Sequence, residues 1–450
     1  MPRLRSRLAG LVTRFPYAVS ALDRMGLSLF SFVLSLCLLR LLSATEFGIV
    51  SLWMTLALFA LDLQSALVNT PLNVHVPGAP DEAAARSLEG AAASVNVVVV
   101  ALVTIVAFAA VAVLAAVGSE FSDLAIVVAI PVYVATGMYR EYHRSLAFGR
   151  RDMALLLWID GPYLAVTSLC LGAMLIWRQQ LASVAVAFFV MSIGSVVSQV
   201  WLHARRDRQR PPLFEAGWLG CYRTILGEVA WSLVGVIASH VQGRSYVYIA
   251  TSLAGLAALA AINVVNVLFR PLKLLVSAWS RSALPHLSAL LASGQVDAFD
   301  RALRRALAMA LVGSVAWFFA LSYAWHTVEH HLLAGRYPDA RILLLPCAVA
   351  SGIWLLESVA SVGLVAGRQF KFLAHASMVC GVISAVATTG MILWQGYAAA
   401  MWGIAIGDGV CFAMQLVRLR RLRRRVAGTV EARTGEVGDD YLSRVVGHET

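Results

Sequence analysis

The chain has 450 residues, 60% of them hydrophobic and 14% charged, with a formal net charge of +11, against roughly 45–50% apolar and about 25% charged in a soluble domain. A water-soluble core has no use for that much apolar surface, so a soluble domain is excluded and a bilayer is the implied solvent. The positive charge lies in short clusters between apolar runs, which argues against a nucleic-acid footprint and for membrane topology.

The first apolar run begins near Met25 and passes through a short turn into a second, with no small-residue cleavage site, so it reads as an anchor rather than a removable signal peptide. A crossing needs roughly 20 mostly apolar residues. Runs of that kind predict twelve spans: 24–42, 47–70, 92–117, 124–139, 153–177, 181–202, 222–240, 246–269, 306–325, 342–366, 372–394 and 397–417. With Arg3, Arg5, Arg7 and Arg14 placed in the cytoplasm, all 36 Lys and Arg except Arg40, Arg178, Arg244, Arg336 and Arg341 fall in alternate connections. Both termini are therefore expected inside. The expected organisation is an N-terminal lobe (1–210, spans 1–6), a C-terminal lobe (211–417, spans 7–12) and a basic cytoplasmic tail (418–450).

In chain order, the first span carries Arg24, Ser28, Ser31 and Ser35 within about 60° of one another at 100° per residue. Arg40 lies off that face near the outer end, where Glu46 or a lipid phosphate competes with cargo as its partner. The second span aligns Asp62, Ser65, Asn69 and Asn73. The fifth carries Asp160 in WIDGPY, where Gly161 and Pro162 are expected to bend the helix. The seventh aligns Glu228, Ser232, Gly235 and Ser239, and the eighth aligns Asn263, Asn266, Arg270, Lys273 and Ser277. RPLKLLVSAWSRSALPHLSALL continues that helix past the surface into an amphipathic interfacial piece. Glu357 and Asp408 are further charges inside spans. The tail Arg418–Arg425 reads as a topology anchor against anionic headgroups.

An internal repeat pairs these stripes. Ser28, Leu29 and Ser35 match Ser232, Leu233 and Ser239, and TPLN (Thr70 to Asn73) matches RPLK (Arg270 to Lys273). Serine and glycine stripes on their own are ordinary helix-packing seams. Ionisable and amide groups inside spans are costly and usually face a wet cavity or a partner. On that ground Arg24, Asp62, Asn69, Asn73, Asn263, Asn266, Arg270 and Lys273, with Arg40 ranked second, are candidate cargo-binding residues. Asp160, Glu228, Glu357 and Asp408 are candidates for coupling to H+ or Na+, the alternative for Asp160 being a bent helix with a locally satisfied carboxylate.

LLRLLSATEFGIVSLWMTL (Leu38 to Leu56), SALPHLSALLASGQVDAFDRALRRAL (Ser282 to Leu307), LLAGRYPDARILL (Leu332 to Leu344) and VAGRQFKFL (Val365 to Leu373) resemble segments of the polysaccharide flippases, the Wzx-like, oligosaccharidyl-lipid branch of the multidrug and polysaccharide exporter superfamily. The resemblance implies an all-α membrane protein of two six-helix lobes around a central cavity, working by alternating access. It also implies an undecaprenyl-diphosphate-linked oligosaccharide as cargo, a bacterial inner membrane, and polysaccharide polymerase and export machinery as partners, with no cofactor.

Two rivals stay open. A cation-coupled drug or metabolite exporter of the same fold would favour an acidic cavity, whereas the stripes carry Arg24, Arg270 and Lys273 against Asp62 and Glu228. A polytopic glycosyltransferase or ligase would need acidic catalytic residues outside, where the first exterior turn offers only Glu46. HTVEHH (His326 to His331) lacks the HExxH order, and the six cysteines have no metal-ligand spacing, so neither a metal nor a catalytic centre is expected.

Overall fold

Each apolar run is helical in the computed structural model, which describes residues 16–76, 79–117, 123–150, 152–205, 213–333 and 335–446. Among these residues there is no strand. The long helices are α1 (Pro16–Leu41), α2 (Ala44–His75), α3 (Glu82–Ala116), α4 (Leu124–Gly149), α5 (Met153–Ile176) and α6 (Val184–Arg205). They continue with α7 (Leu226–Leu268), α8 (Arg270–Ala292), α9 (Val296–Tyr323), α10 (Leu344–Ala366), α11 (Phe370–Gln395) and α12 (Ala400–Val446). Ten described helices are long and apolar enough to cross a bilayer, and Met25–Leu41 in α1 is a shorter apolar one. At 1.5 Å per residue the 43 residues of α7 reach about 65 Å, roughly twice a hydrocarbon core. α7 is therefore longer than one crossing needs, and the protein is an all-α, multi-pass membrane protein of about twelve helices.

Local chemistry explains where these helices begin and bend. Ser43 and Glu46 form a reciprocal capping box at the start of α2, and Asp81, Asp123 and Asp152 cap α3, α4 and α5. α7 bends at Gly255, whose φ of 84° and ψ of 175° suit only glycine. The sequence places this break between 240 and 246, whereas residues 241–245, Arg244 among them, are helical. TPLN and RPLK share a structural role. Pro71 sits in the first turn of the segment Thr70–His75 that ends α2, and Pro271 in the first turn of α8; each restarts a helix where proline's missing N–H costs nothing.

The chain divides into two compact units. One comprises 1–240, 250–267 and 329–338; the other comprises 241–249, 268–328 and 339–450. In the first, α4 packs against α2, α3, α5 and α6, and α5 against α1 and α6. In the second, α12 packs against α10 and α11, and α10 against α8 and α9. From α8, Leu287 joins Phe299, Leu303, Val359 and Leu364 in a buried cluster. α3 and α9 bury little of their apolar length, leaving residues such as Leu102, Ile105, Val312 and Phe319 for lipid.

Candidate functional site

Polar side chains inside the first unit gather on the face of α4. Arg144 is buried and holds three carboxylates: Asp160 of α5 at 2.8 Å, Glu141 at 2.7 Å and Asp23 of α1 at 3.2 Å. Arg140 stacks over the Tyr163 ring at 3.4 Å. Asp160, expected either to couple to a cation or to be a carboxylate satisfied by its neighbours, is paired with Arg144 through Oδ2, while its Oδ1 has no hydrogen bond. α5 runs helically through Gly161 and Pro162.

The next residue of α4, Ser145, meets the side chain of Asn73 and the backbone of Asn69, both from the second stripe. Its hydroxyl receives a hydrogen bond from the Asn73 side-chain amide at 3.1 Å and donates to the Asn69 backbone carbonyl at 3.3 Å. The stripe itself is broken, because Ser65–Asn69 winds as a π turn and shifts the phase of the next helical turns. Asp62 and Asn73 are exposed while Asn69 is buried. The carbonyls loosened by that turn are reused: the Leu67 oxygen accepts from the Tyr222 hydroxyl at 2.5 Å. Asp62 lies 3.9 Å from the buried His240 ring, and Gln64 donates to Asn96 at 2.6 Å and to the Met138 carbonyl at 2.8 Å. Sequence reasoning missed Asp23, Arg144, Gln64, Asn96 and His240, since a lone polar residue in an apolar run does not name its partner.

Arg24 and Glu228 lie on α1 and α7, but their side chains fall outside the described residues. Arg40 is exposed, and its expected partner Glu46 is occupied in the capping box at Ser43. The carbonyls of Arg40 and Leu42 accept from the Arg336 guanidinium at 3.1 and 2.8 Å. Outside the spans, Arg150 pairs with Glu89 through two nitrogens at 2.7 and 2.5 Å, a hydrogen bonding that raises the arginine's pKa. Asn263 and Asn266 of α7 are half-buried.

The second unit contains two groups. Glu357 of α10 and Asp408 of α12 are both buried and joined by one amide: Gln242 donates to Glu357 at 3.0 Å and to Asp408 at 3.4 Å. Gln415 adds a second donor to Glu357 at 3.3 Å. The same unit holds three cations, Arg244, Arg270 and Lys273. Arg270 and Lys273 both feel the charge of Arg244, and Lys273 also feels Arg270 and, with opposite sign, Asp408. Lys273 lies 5.3 Å over the Trp354 ring. Within the tail, Arg418 donates to Gln369 at 2.6 and 2.9 Å and Arg423 to Asp300 at 2.9 Å, so two of the expected lipid anchors fasten α12 to its own unit.

No family model and no curated protein matches the sequence. Solved structures do. An inward-facing multidrug resistance MATE family transporter of the MOP superfamily superposes with a TM-score of 0.64 at 13% identity, over 91% of this chain and 99% of that one. The fold is that of the MATE transporters. The Vibrio cholerae MATE transporter VcmN, as a point mutant, gives 0.56 at 14% identity over 93% and 98% of the two chains, and a MATE in the bent conformation gives 0.55 at 13% over 91% and 93%. Within this MATE fold, the second unit holds both the Arg270–Lys273 part of the eighth-span stripe and the Glu357–Asp408 pair, which the sequence read as isolated charges in two other spans.

Proposed function

We propose that this MATE-fold chain is an exporter that flips an undecaprenyl-diphosphate-linked oligosaccharide across the bacterial inner membrane by alternating access, with both termini in the cytoplasm. The observation that carries the reading is the grouping of Arg244, Arg270 and Lys273 in one unit. Three like charges held near each other in a low-dielectric setting repel, and a diphosphate is the kind of cargo group that relieves the repulsion. The amide-bridged Glu357–Asp408 pair is the coupling element: removing its amide-held balance by binding H+ or Na+ is a change that Lys273, electrostatically linked to Asp408, would feel. The segments resembling Wzx-like flippases support the same cargo.

Arg270 is the residue to change. A guanidinium grips a diphosphate through paired hydrogen bonds and an ammonium acts as a point charge, so Arg270→Lys is expected to lower polysaccharide output several-fold at unchanged protein level. Normal output from both Arg270→Ala and Lys273→Ala would remove the cargo assignment. A second reading, a cation-coupled drug or metabolite exporter, is favoured by the multidrug resistance transporter among the structures sharing the fold. It predicts drug sensitivity, rather than loss of polysaccharide, when the gene is removed.

A further inference from the structure

On the first unit, α3 and α6 both flank α4 and leave a cavity of about 830 Å³ over its outer side. Val100, Ala135, Val196, Val200 and Ala204 make its walls apolar, while Thr136, Tyr139, Gln199 and His203 line one part of it. Its rim continues into apolar surface, since Val97, Val98, Val196 and Val200 are all exposed. This size falls within the roughly 300–1,000 Å³ of small-molecule sites.

The polar part is built in an unusual way. His203 Nδ1 pairs with the Gln199 backbone carbonyl at 2.7 Å, so that nitrogen carries the proton and Nε2 accepts from the Tyr139 hydroxyl at 3.3 Å. His143 in turn donates from Nδ1 to the Tyr139 carbonyl at 3.0 Å, and the three rings pack together. One group is left over. The Gln199 side chain is 6% exposed, lines the cavity, and neither its nitrogen nor its oxygen has a hydrogen-bond partner. A buried amide without partners is costly in an apolar medium.

We propose that this cavity is a binding site for one glycerophospholipid, with an acyl chain along the valine and alanine walls and an ester carbonyl accepting a hydrogen bond from the Gln199 amide. The lining residues carry no formal charge. That suits a neutral ester group and does not suit the diphosphate of a lipid-linked sugar, so the occupant is a bilayer lipid rather than cargo. His203 lies close to the end of α6 at Arg205, which puts the polar part near the level where acyl esters meet headgroups. The site does not depend on which cargo the protein moves.

Native mass spectrometry of the full chain, exchanged into detergent with either diester or diether phosphatidylethanolamine, tests this. The wild type should hold one diester lipid about tenfold more tightly than the diether analogue, which lacks the carbonyl and so one hydrogen bond. Gln199→Met should bind both lipids equally, at the diether level, while Val200→Trp should lose both by filling the groove. Equal binding of diester and diether lipid by the wild type would overturn the proposal. So would full diester binding by folded Gln199→Met, or an isoprenoid as the only lipid retained from the membrane.

Discussion

Arg144 is the residue on which the first unit's buried charge balance turns. Asp23, Glu141 and Asp160 converge on it, with Arg144 and Asp160 almost wholly buried. Removing the cation would leave three carboxylates facing one another, and breaking a buried pair from one side costs about 3–5 kcal/mol. Arg144→Met is therefore expected to lower the thermal unfolding midpoint in detergent sharply, and adding Asp160→Asn should restore part of the loss by removing one orphaned charge. If Arg144→Met unfolds at the wild-type temperature, the cluster is not structural. At this scale the sequence was half legible. Asp160, Glu357 and Asp408 declared themselves by being charged inside apolar runs. Their partners Arg144, Gln242 and Gln415 did not, because pairing across helices leaves no spacing pattern along the chain, and Arg418 and Arg423 looked like any other members of a basic run.

Elements in this protein are set by length and by small residues. Roughly 20 apolar residues make a span, which is why most of the long apolar helices could be read directly. The break in α7 could not: Gly255 sits within an apolar stretch, while Gln242, Gly243 and Arg244 looked like a connection and turned out to be helix. The π turn in α2 was equally hidden, so the stripe Asp62–Asn69–Asn73 was drawn on a regular helix that does not exist. Close helix contact was legible only in part. A side chain at Gly403 would strike the Thr388 backbone, and one at Gly407 would strike Ser384, so α11 and α12 meet through a small-residue seam. Gly403→Ala should cost about 1–3 kcal/mol by overpacking. Gly390→Ala, on the same α11 but facing open space, should be neutral or stabilise by about 0.5–1 kcal/mol through reduced backbone entropy. Equal unfolding midpoints for the two variants would contradict the seam.

For the whole molecule, cargo and coupling are both proposed to meet in the second unit, where Lys273 links the cation group to Asp408 and Asp408 is linked to Glu357 through Gln242. A ligand moves a conformational equilibrium only through its differential affinity for the two states. Cargo charge and coupling ion would therefore act on one electrostatic assembly, and neutralising Asp408 should uncouple them without unfolding the helices. The direct measurement is translocation of an undecaprenyl-diphosphate-linked oligosaccharide in proteoliposomes under an imposed H+ or Na+ gradient, read by a membrane-impermeant glycosidase. The lipid-linked sugar should change leaflet with the wild-type protein, and the gradient's effect should vanish with Asp408→Asn. A wild-type protein that leaves the lipid-linked sugar in place while exporting a cationic drug under the same gradient would contradict the account.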